Sequence, residues 1–259
     1  MSKTTKIQWC DSTVNPTMGC DGCELWSKDR KTCYAGLMHT HYGASNSGYA
    51  PTFEDVTLFP GRMAEAARWS DLTGCERPDK PWLDGLPRLI FVSDMSDALS
   101  KIVTFDYLNI EIIGNVTSEG GRRHQWLWLT KRPDRMAKIA AHLPVLSNVW
   151  LGTSVENDAV LDRLEYLRTT PAAVRFVSFE PLIGSVGSAD LKQIHWAIVG
   201  GESGPRSRPM QEEWVDEIYD RCEEAGTAFF FKQWGGRNKK AAGRHFRDRT
   251  WDELPALSM

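Results

Sequence analysis

The chain has 259 residues, 41% of them apolar and 25% charged, with a net charge of −3, a composition that excludes a disordered or fibrous protein. Its length suits one large α/β domain or two small ones, and either can bury a proper core. No apolar run approaches the roughly 18–20 residues of a membrane span, and residues 1–9 lack the apolar stretch of a secretory signal, so a cytoplasmic protein with no membrane partner is expected.

In chain order, a first strand is expected near residues 6–9, followed by a cysteine-bearing loop over 10–36. Residues 42–86 read as an irregular insertion containing one helix, 60–69, with Pro60 at its start. Six short β-rich runs follow, at 89–93, 126–130, 149–153, 174–179, 196–199 and 228–231. Each is nearly continuous in apolar residues, as strands buried on both faces are. The intervals suit crossover helices. One is 157–168, with Val160, Leu161, Leu164 and Leu167 on one face; another is 211–225, with Trp214, Val215, Ile218 and Cys222. A basic extension, 236–259, closes the chain. Repeated βα units predict a parallel sheet, and about seven strands fit a complete or partial (β/α) barrel forming a single domain over 1–259. An open doubly wound sheet is the other arrangement of the same pattern.

Charged and polar residues stand where these strands end, and in a parallel barrel those ends share the face on which active sites form. Asp94, Glu156 and Glu180 are candidate acid–base groups. Lys131, Arg132 and Lys232, with Gln233 and Trp234, are candidate substrate contacts for a phosphate or carboxylate. Gly200 and Gly201 would let a ligand approach the backbone, Glu202 could meet an ammonium or a ribose hydroxyl, and Ser154 lies at the end of a neighbouring strand. Arg206 and Arg208 add cations beside this turn. Lys232, Arg237, Lys239, Lys240, Arg244, Arg247 and Arg249, interleaved with Trp234, His245 and Phe246, could hold a nucleotide or single-stranded nucleic acid; a solvated basic tail is the plainer reading.

Six cysteines in a cytoplasmic chain do not suggest a disulfide framework. Cys20-Asp-Gly-Cys23, followed after nine residues by Cys33, is the strongest chemical signal. Three such thiolates can hold a cubane iron–sulfur cluster with one iron open, or zinc with a fourth ligand such as Cys10, His39 or His41. His39 and His41 read more readily as structural or surface residues, and Cys75 and Cys222 as structural ones.

The stretches WCDSTVNPTMGC (9–20), CYAG (33–36), FVSDMSD (91–97), LTKRPDRM (129–136), NVWLGTSVEN (148–157), VRFVSFEPLIG (174–184), IVGGESGPRSRPM (198–210) and FFFKQWGG (229–236) together resemble the phage-associated three-cysteine-motif proteins. That family is similar in plan to radical S-adenosylmethionine (SAM) proteins. The resemblance implies a [4Fe–4S] cluster on Cys20, Cys23 and Cys33, SAM at its open iron, an external reductant and a nucleotide or nucleic-acid substrate, in a phage or its bacterial host. It makes Glu202 the counterpart of the SAM-amino contact. The spacing here is Cys-x2-Cys-x9-Cys, whereas radical SAM proteins carry Cys-x3-Cys-x2-Cys, and Cys10 stands where family members often have Thr. The alternative function is a non-catalytic barrel, stabilised by zinc or a silent cluster, that binds nucleic acid or a partner protein. A third is a barrel whose carboxylates do hydrolytic work beside a structural metal.

Overall fold

The computed structural model describes residues 1–43, 46 and 48–256. By its contacts the chain divides into two compact units, Met1–Arg132 and Pro133–Met259.

In the first unit β1 (Ser12–Val14) pairs in parallel with the later strand Arg88–Val92, Ser12 lying opposite Ile90. Next come β2 (Thr17–Met18), α1 (Tyr34–Tyr42) and β3 (Thr57–Leu58), with β2 and β3 forming a short antiparallel pair. After α2 (Arg62–Ala67) come β4, which is Arg88–Val92, and a helical stretch built of α3 (Phe105–Tyr107), π-helical turns over Leu108–Ile113 and α4 (Gly114–Val116). β5 (His124–Thr130) then pairs in parallel with β4. The expected first strand is therefore misplaced: the strand is Ser12–Val14, and not 6–9. Ser12 and Thr13 hide it from an apolar pattern, because both are buried with their polar needs met inside the unit; Arg88 donates to Ser12 Oγ at 3.0 Å.

The second unit opens with α5 (Pro133–Ala140) and β6 (Val149–Ser154), which is buried along its whole length. α6 (Asp162–Thr169) follows a 3-10 turn over Asp158–Val160, so the helix expected over 157–168 is broken into two pieces. β7 (Val174–Phe179), β8 (Trp196–Gly200) and β9 (Ala228–Gln233) pair in sequence, all parallel, with Gly152 opposite Phe176 and Phe176 opposite Trp196. α7 (Glu212–Ala225) buries Val215, Ile218 and Cys222, the spacing of one helix face. It stops at Gly226, whose φ of 67° is the left-handed conformation that ends helices. A final short helix, α8 (Lys239–Ala242), precedes a C-terminal segment that packs Phe246 and Trp251 onto Phe229 and Tyr219, with ring centroids 4.6–5.9 Å apart.

Seven parallel strands, with helices in most of the intervals, bear out the α/β class, in the form of a partial (β/α) barrel. Among the described residues no helix is long and apolar enough to cross a membrane.

Candidate functional site

The cysteine loop lies in the first unit. Gly22, at φ 96°, makes the turn between Cys20 and Cys23; a side chain there would press on the carbonyl oxygen of Trp26 at 2.9 Å. Short backbone bridges from Cys23 to Trp26 and from Trp26 to Lys31 return the chain, and Cys33 N–H donates to the Leu25 carbonyl at 3.0 Å. Cys20 and Cys33 both pack against one apolar cluster of Met18, Trp26, Ala35, Ala50, Phe53 and Met95. Burial raises the Cys20 thiol pKa against the pull of Arg132, and raises that of Cys23 against Lys131. The backbone N–H groups of Gly22 and Leu25 hydrogen-bond the sulfurs of Cys20 and Cys23 respectively, which favours the thiolates.

Lys131 and Arg132, at the end of β5, are held by this loop. Arg132 Nη1 donates to Asp97 at 2.8 Å, while Nη2 serves Asp21, the Gly22 carbonyl at 3.0 Å and the Cys20 sulfur at 3.9 Å. Lys131 pairs with Glu24 at 3.2 Å. Burial opposes the charge on Arg132, but Asp97, Cys20 and Asp21 outweigh it and raise its pKa. Asp97 is buried and also accepts from the Thr130 hydroxyl at 2.9 Å, Leu99 N–H at 2.9 Å and Lys131 N–H at 3.0 Å. The ends of β4 and β5 therefore clamp the cysteine loop through charge. Asp21 and Glu24 were not singled out from sequence, although their alternation with Cys20 and Cys23, matched to Lys131-Arg132, is a complementary charge pattern.

Asp94 stands at the end of β4 and accepts from Asn15 Nδ2 at 2.5 Å. Burial pushes its carboxyl pKa up, opposed by the Asn15 hydrogen bond.

The other candidates lie in the second unit. Glu156 is fully buried and pairs with Arg163 at 3.1 Å; the same guanidinium donates to the carbonyl of Ser154, which is also buried. Glu180 and Lys232 pair at 2.8 Å, both side chains mostly buried. Gln233 is buried and donates to Ser203 Oγ at 2.7 Å. Internal packing accounts for both glycines after β8. A Cβ on Gly200 would lie 2.5 Å from Glu180 Oε1, and one on Gly201 would lie 2.1 Å from the Trp234 carbonyl oxygen. Glu202 is gripped by Arg208, whose Nε and Nη2 reach its two oxygens at 2.8 and 2.7 Å. Burial works against the Glu202 charge, but the Arg208 bonds prevail and lower its pKa. Trp234 donates its indole N–H to the His245 carbonyl at 2.8 Å and meets the Phe231 ring edge to face, centroids 4.9 Å apart.

Several cations of the C-terminal extension are also engaged. Arg244 meets Asp252, Arg247 meets Asp216 and Asp220, and Arg249 lies over the Trp251 ring at 3.5 Å. The side chains of Lys239 and Lys240, and residues 44, 45, 47 and 257–259, fall outside the described residues. Of the remaining histidines and cysteines named from sequence, His39 is buried against the Ala50 carbonyl at 2.8 Å and His41 is exposed. Cys10 and Cys222 are buried, and Cys75 is exposed.

The donor set of Cys20, Cys23 and Cys33 fits a soft metal or cluster in chemistry, with cations beside Cys20 and Cys23 that partly offset the burial raising both thiol pKa values. In position it is not preassembled: among the described residues no three His, Cys, Asp or Glu side chains are grouped to hold a metal ion. No curated protein and no solved structure matches the chain. A family model matches residues 4–255, and the chain belongs to that family, described as protein of unknown function (DUF5131).

Proposed function

We propose that the chain is an iron–sulfur enzyme of radical-SAM-like plan, carrying a [4Fe–4S] cluster on Cys20, Cys23 and Cys33 and acting on a nucleotide or nucleic-acid substrate. The observation that carries this reading is the cysteine loop itself. Two of its sulfurs receive backbone N–H bonds, the same two stand beside Arg132 and Lys131, and the loop is moored to the ends of β4 and β5. Such a cluster, when bound, supplies one-electron chemistry with SAM as its partner.

The chain's own residues would do the rest. Arg132 and Lys131 keep Cys20 and Cys23 in a positive field and tie the loop down. Glu180 and Lys232 form a paired acid and cation at the ends of β7 and β9, able to hold a polar substrate group or exchange a proton with it. A substrate phosphate at Lys131, Arg132 or Lys232 would share or displace the carboxylates now held there.

Anaerobic purification with iron, sulfide and zinc analysis, read with the visible spectrum, tests the proposal. The expected result is about four irons and four sulfides per chain, lost in Cys20→Ala, Cys23→Ala or Cys33→Ala, with a spectrum that SAM perturbs. One tightly bound zinc, no sulfide and no response to SAM would overturn it.

A further inference from the structure

In the second unit, β8 and β9 do not part where their ladder ends. Gly201 N–H donates to the Gln233 carbonyl at 3.0 Å, Gly236 N–H to the Glu202 carbonyl at 2.7 Å, and Gly204 N–H to the Gly236 carbonyl at 3.1 Å. The loops after the two strands therefore run side by side, with Ser203 bridged to Gly236. Glycine makes this approach possible. Gly235 and Gly236 have φ of 82° and 88°, and a side chain on Gly235 would collide with the Glu202 carbonyl.

The joined loops concentrate one sign of charge. Residues 203–210 and 234–245 contain Arg206, Arg208, Arg237, Lys239, Lys240 and Arg244 and no aspartate or glutamate, in a chain whose net charge is −3. Two of these cations are neutralised from the flanks, Arg208 by Glu202 and Arg244 by Asp252. Arg206 and Arg237 are exposed, and their guanidinium groups make no hydrogen bond or ion pair among the described residues. The bridge between the loops sets Arg206 two residues beyond Gly204 and Arg237 one residue beyond Gly236, its partner. Lys131, Arg132, Lys232 and Arg247, by contrast, are each held by a carboxylate.

Such a surface suits a polyanion, and its surroundings select which one. Among the described residues neither loop exposes a large apolar side chain. A membrane surface would need such side chains to bury in the lipid boundary, and a protein interface would need them for its core. A phosphodiester backbone needs only the cations, and guanidinium groups meet phosphate oxygens with paired donors. Ring surface for bases is present as well. Trp234 and His245 bracket the cations of the second loop, the first half-buried and the second exposed.

We propose that Arg206 and Arg237 grip the backbone of a single-stranded nucleic acid, whose unpaired bases can reach these rings, along the paired loops that follow β8 and β9. This rests on the proposed function for its substrate class and narrows it: the substrate is the polymer and not a free nucleotide, and the phosphate grip falls on these two arginines. Binding requires neither a cluster nor SAM. A chain that holds zinc and no sulfide yet binds the strand through these arginines would overturn the enzyme reading and support this one.

The test follows the fluorescence anisotropy of a short labelled oligonucleotide of mixed sequence, single-stranded DNA in one series and RNA in another, against the full chain at several salt concentrations. Saturable binding is expected in at least one series, weakening with salt by a slope of about −0.7 per phosphate engaged. Arg206→Gln with Arg237→Gln should weaken it about tenfold and flatten the slope by about 1–1.5. Both positions are exposed, so the variant should keep the circular dichroism of the wild type. Changing both to lysine should recover most of the affinity. Arg122→Gln with Arg123→Gln removes the same charge from exposed positions of the first unit and should leave binding nearly unchanged. No salt-sensitive binding in either series, or equal weakening in the two glutamine pairs, would overturn the proposal. So would a mononucleotide that competes as well as the strand, or a duplex that binds more tightly than it.

Discussion

Arg132 serves Asp97, Asp21, the Gly22 carbonyl and the Cys20 sulfur at once, with only 15% of its side chain exposed. Removing one partner of a buried pair strands the other, so Arg132→Met should destabilise the chain by about 3 kcal/mol in urea unfolding. A change within 1 kcal/mol would mean that the clamp is dispensable. Ser93→Gly should act in the opposite sense. Glycine accepts φ +76° without strain, and the gain outweighs its extra unfolded-state entropy, so stability should rise by about 0.5–1 kcal/mol. Glu202 carries a pH signature. Arg208 holds its folded-state pKa below the ordinary carboxylate value, so the pair's stabilisation is present above about pH 4.5 and is lost as pH falls through the lowered pKa. Melting temperatures followed from about pH 5 down to pH 2 should fall less steeply for Arg208→Gln than for wild type. Parallel curves would show that the pair does not couple to folding.

At the scale of elements, the π-helical turns over Leu108–Ile113 put a carboxylate to structural use. Glu111 is 5% exposed, and its two oxygens accept the N–H groups of Met63 and Gly61 at 2.9 Å each. These are N–H groups at the start of α2, where Gly61 offers no side-chain cap. Glu111 thus caps a helix from fifty residues away in the sequence. Glu111→Ala should cost about 2 kcal/mol in thermal unfolding, with Glu111→Gln recovering part of it. The β6–β7 pairing has an equally local demand. A Cβ on Gly152 would lie 2.5 Å from Cζ of Phe176, the residue opposite it in register. Gly152→Ala should therefore cost about 1–3 kcal/mol, and adding Phe176→Leu should restore some of the loss.

For the whole molecule, stability comes from burial of large side chains that are not part of the cysteine loop. Trp9 and Trp126 in the first unit, and Trp150, Trp196, Phe176 and Phe230 in the second, are all under 2% exposed. Small domains that depend on a metal to fold lack such cores. The triple variant Cys20→Ala, Cys23→Ala, Cys33→Ala should therefore keep the far-ultraviolet circular dichroism of a folded α/β protein at 25 °C while losing any bound metal. A random-coil spectrum would show that the loop organises the fold rather than decorating it.

The sequence by itself determined the class and most of the strands. The run at 196–199 is apolar throughout and that at 174–179 nearly so, interrupted by Arg175 and Ser178, and a segment buried on both faces needs no partner to be recognised. The spacing of Val215, Ile218 and Cys222 likewise revealed α7 within one residue. Ser12–Val14 escaped notice because its pairing with β4, and not its composition, makes it a strand. A crossover helix suited the interval between 93 and 126 but was given no bounds, and the helical turns observed over 105–116 depart from the usual period. The candidate site divides along the same line. Cysteine spacing and strand-end charges are local and could be read directly. The tertiary structure alone decided which polar groups meet: Arg132 with the cysteine loop, Glu202 with Arg208, Glu180 with Lys232, and Asp94 with Asn15. Ion pairing and desolvation depend on distances between residues up to about a hundred positions apart, and no local pattern encodes those distances.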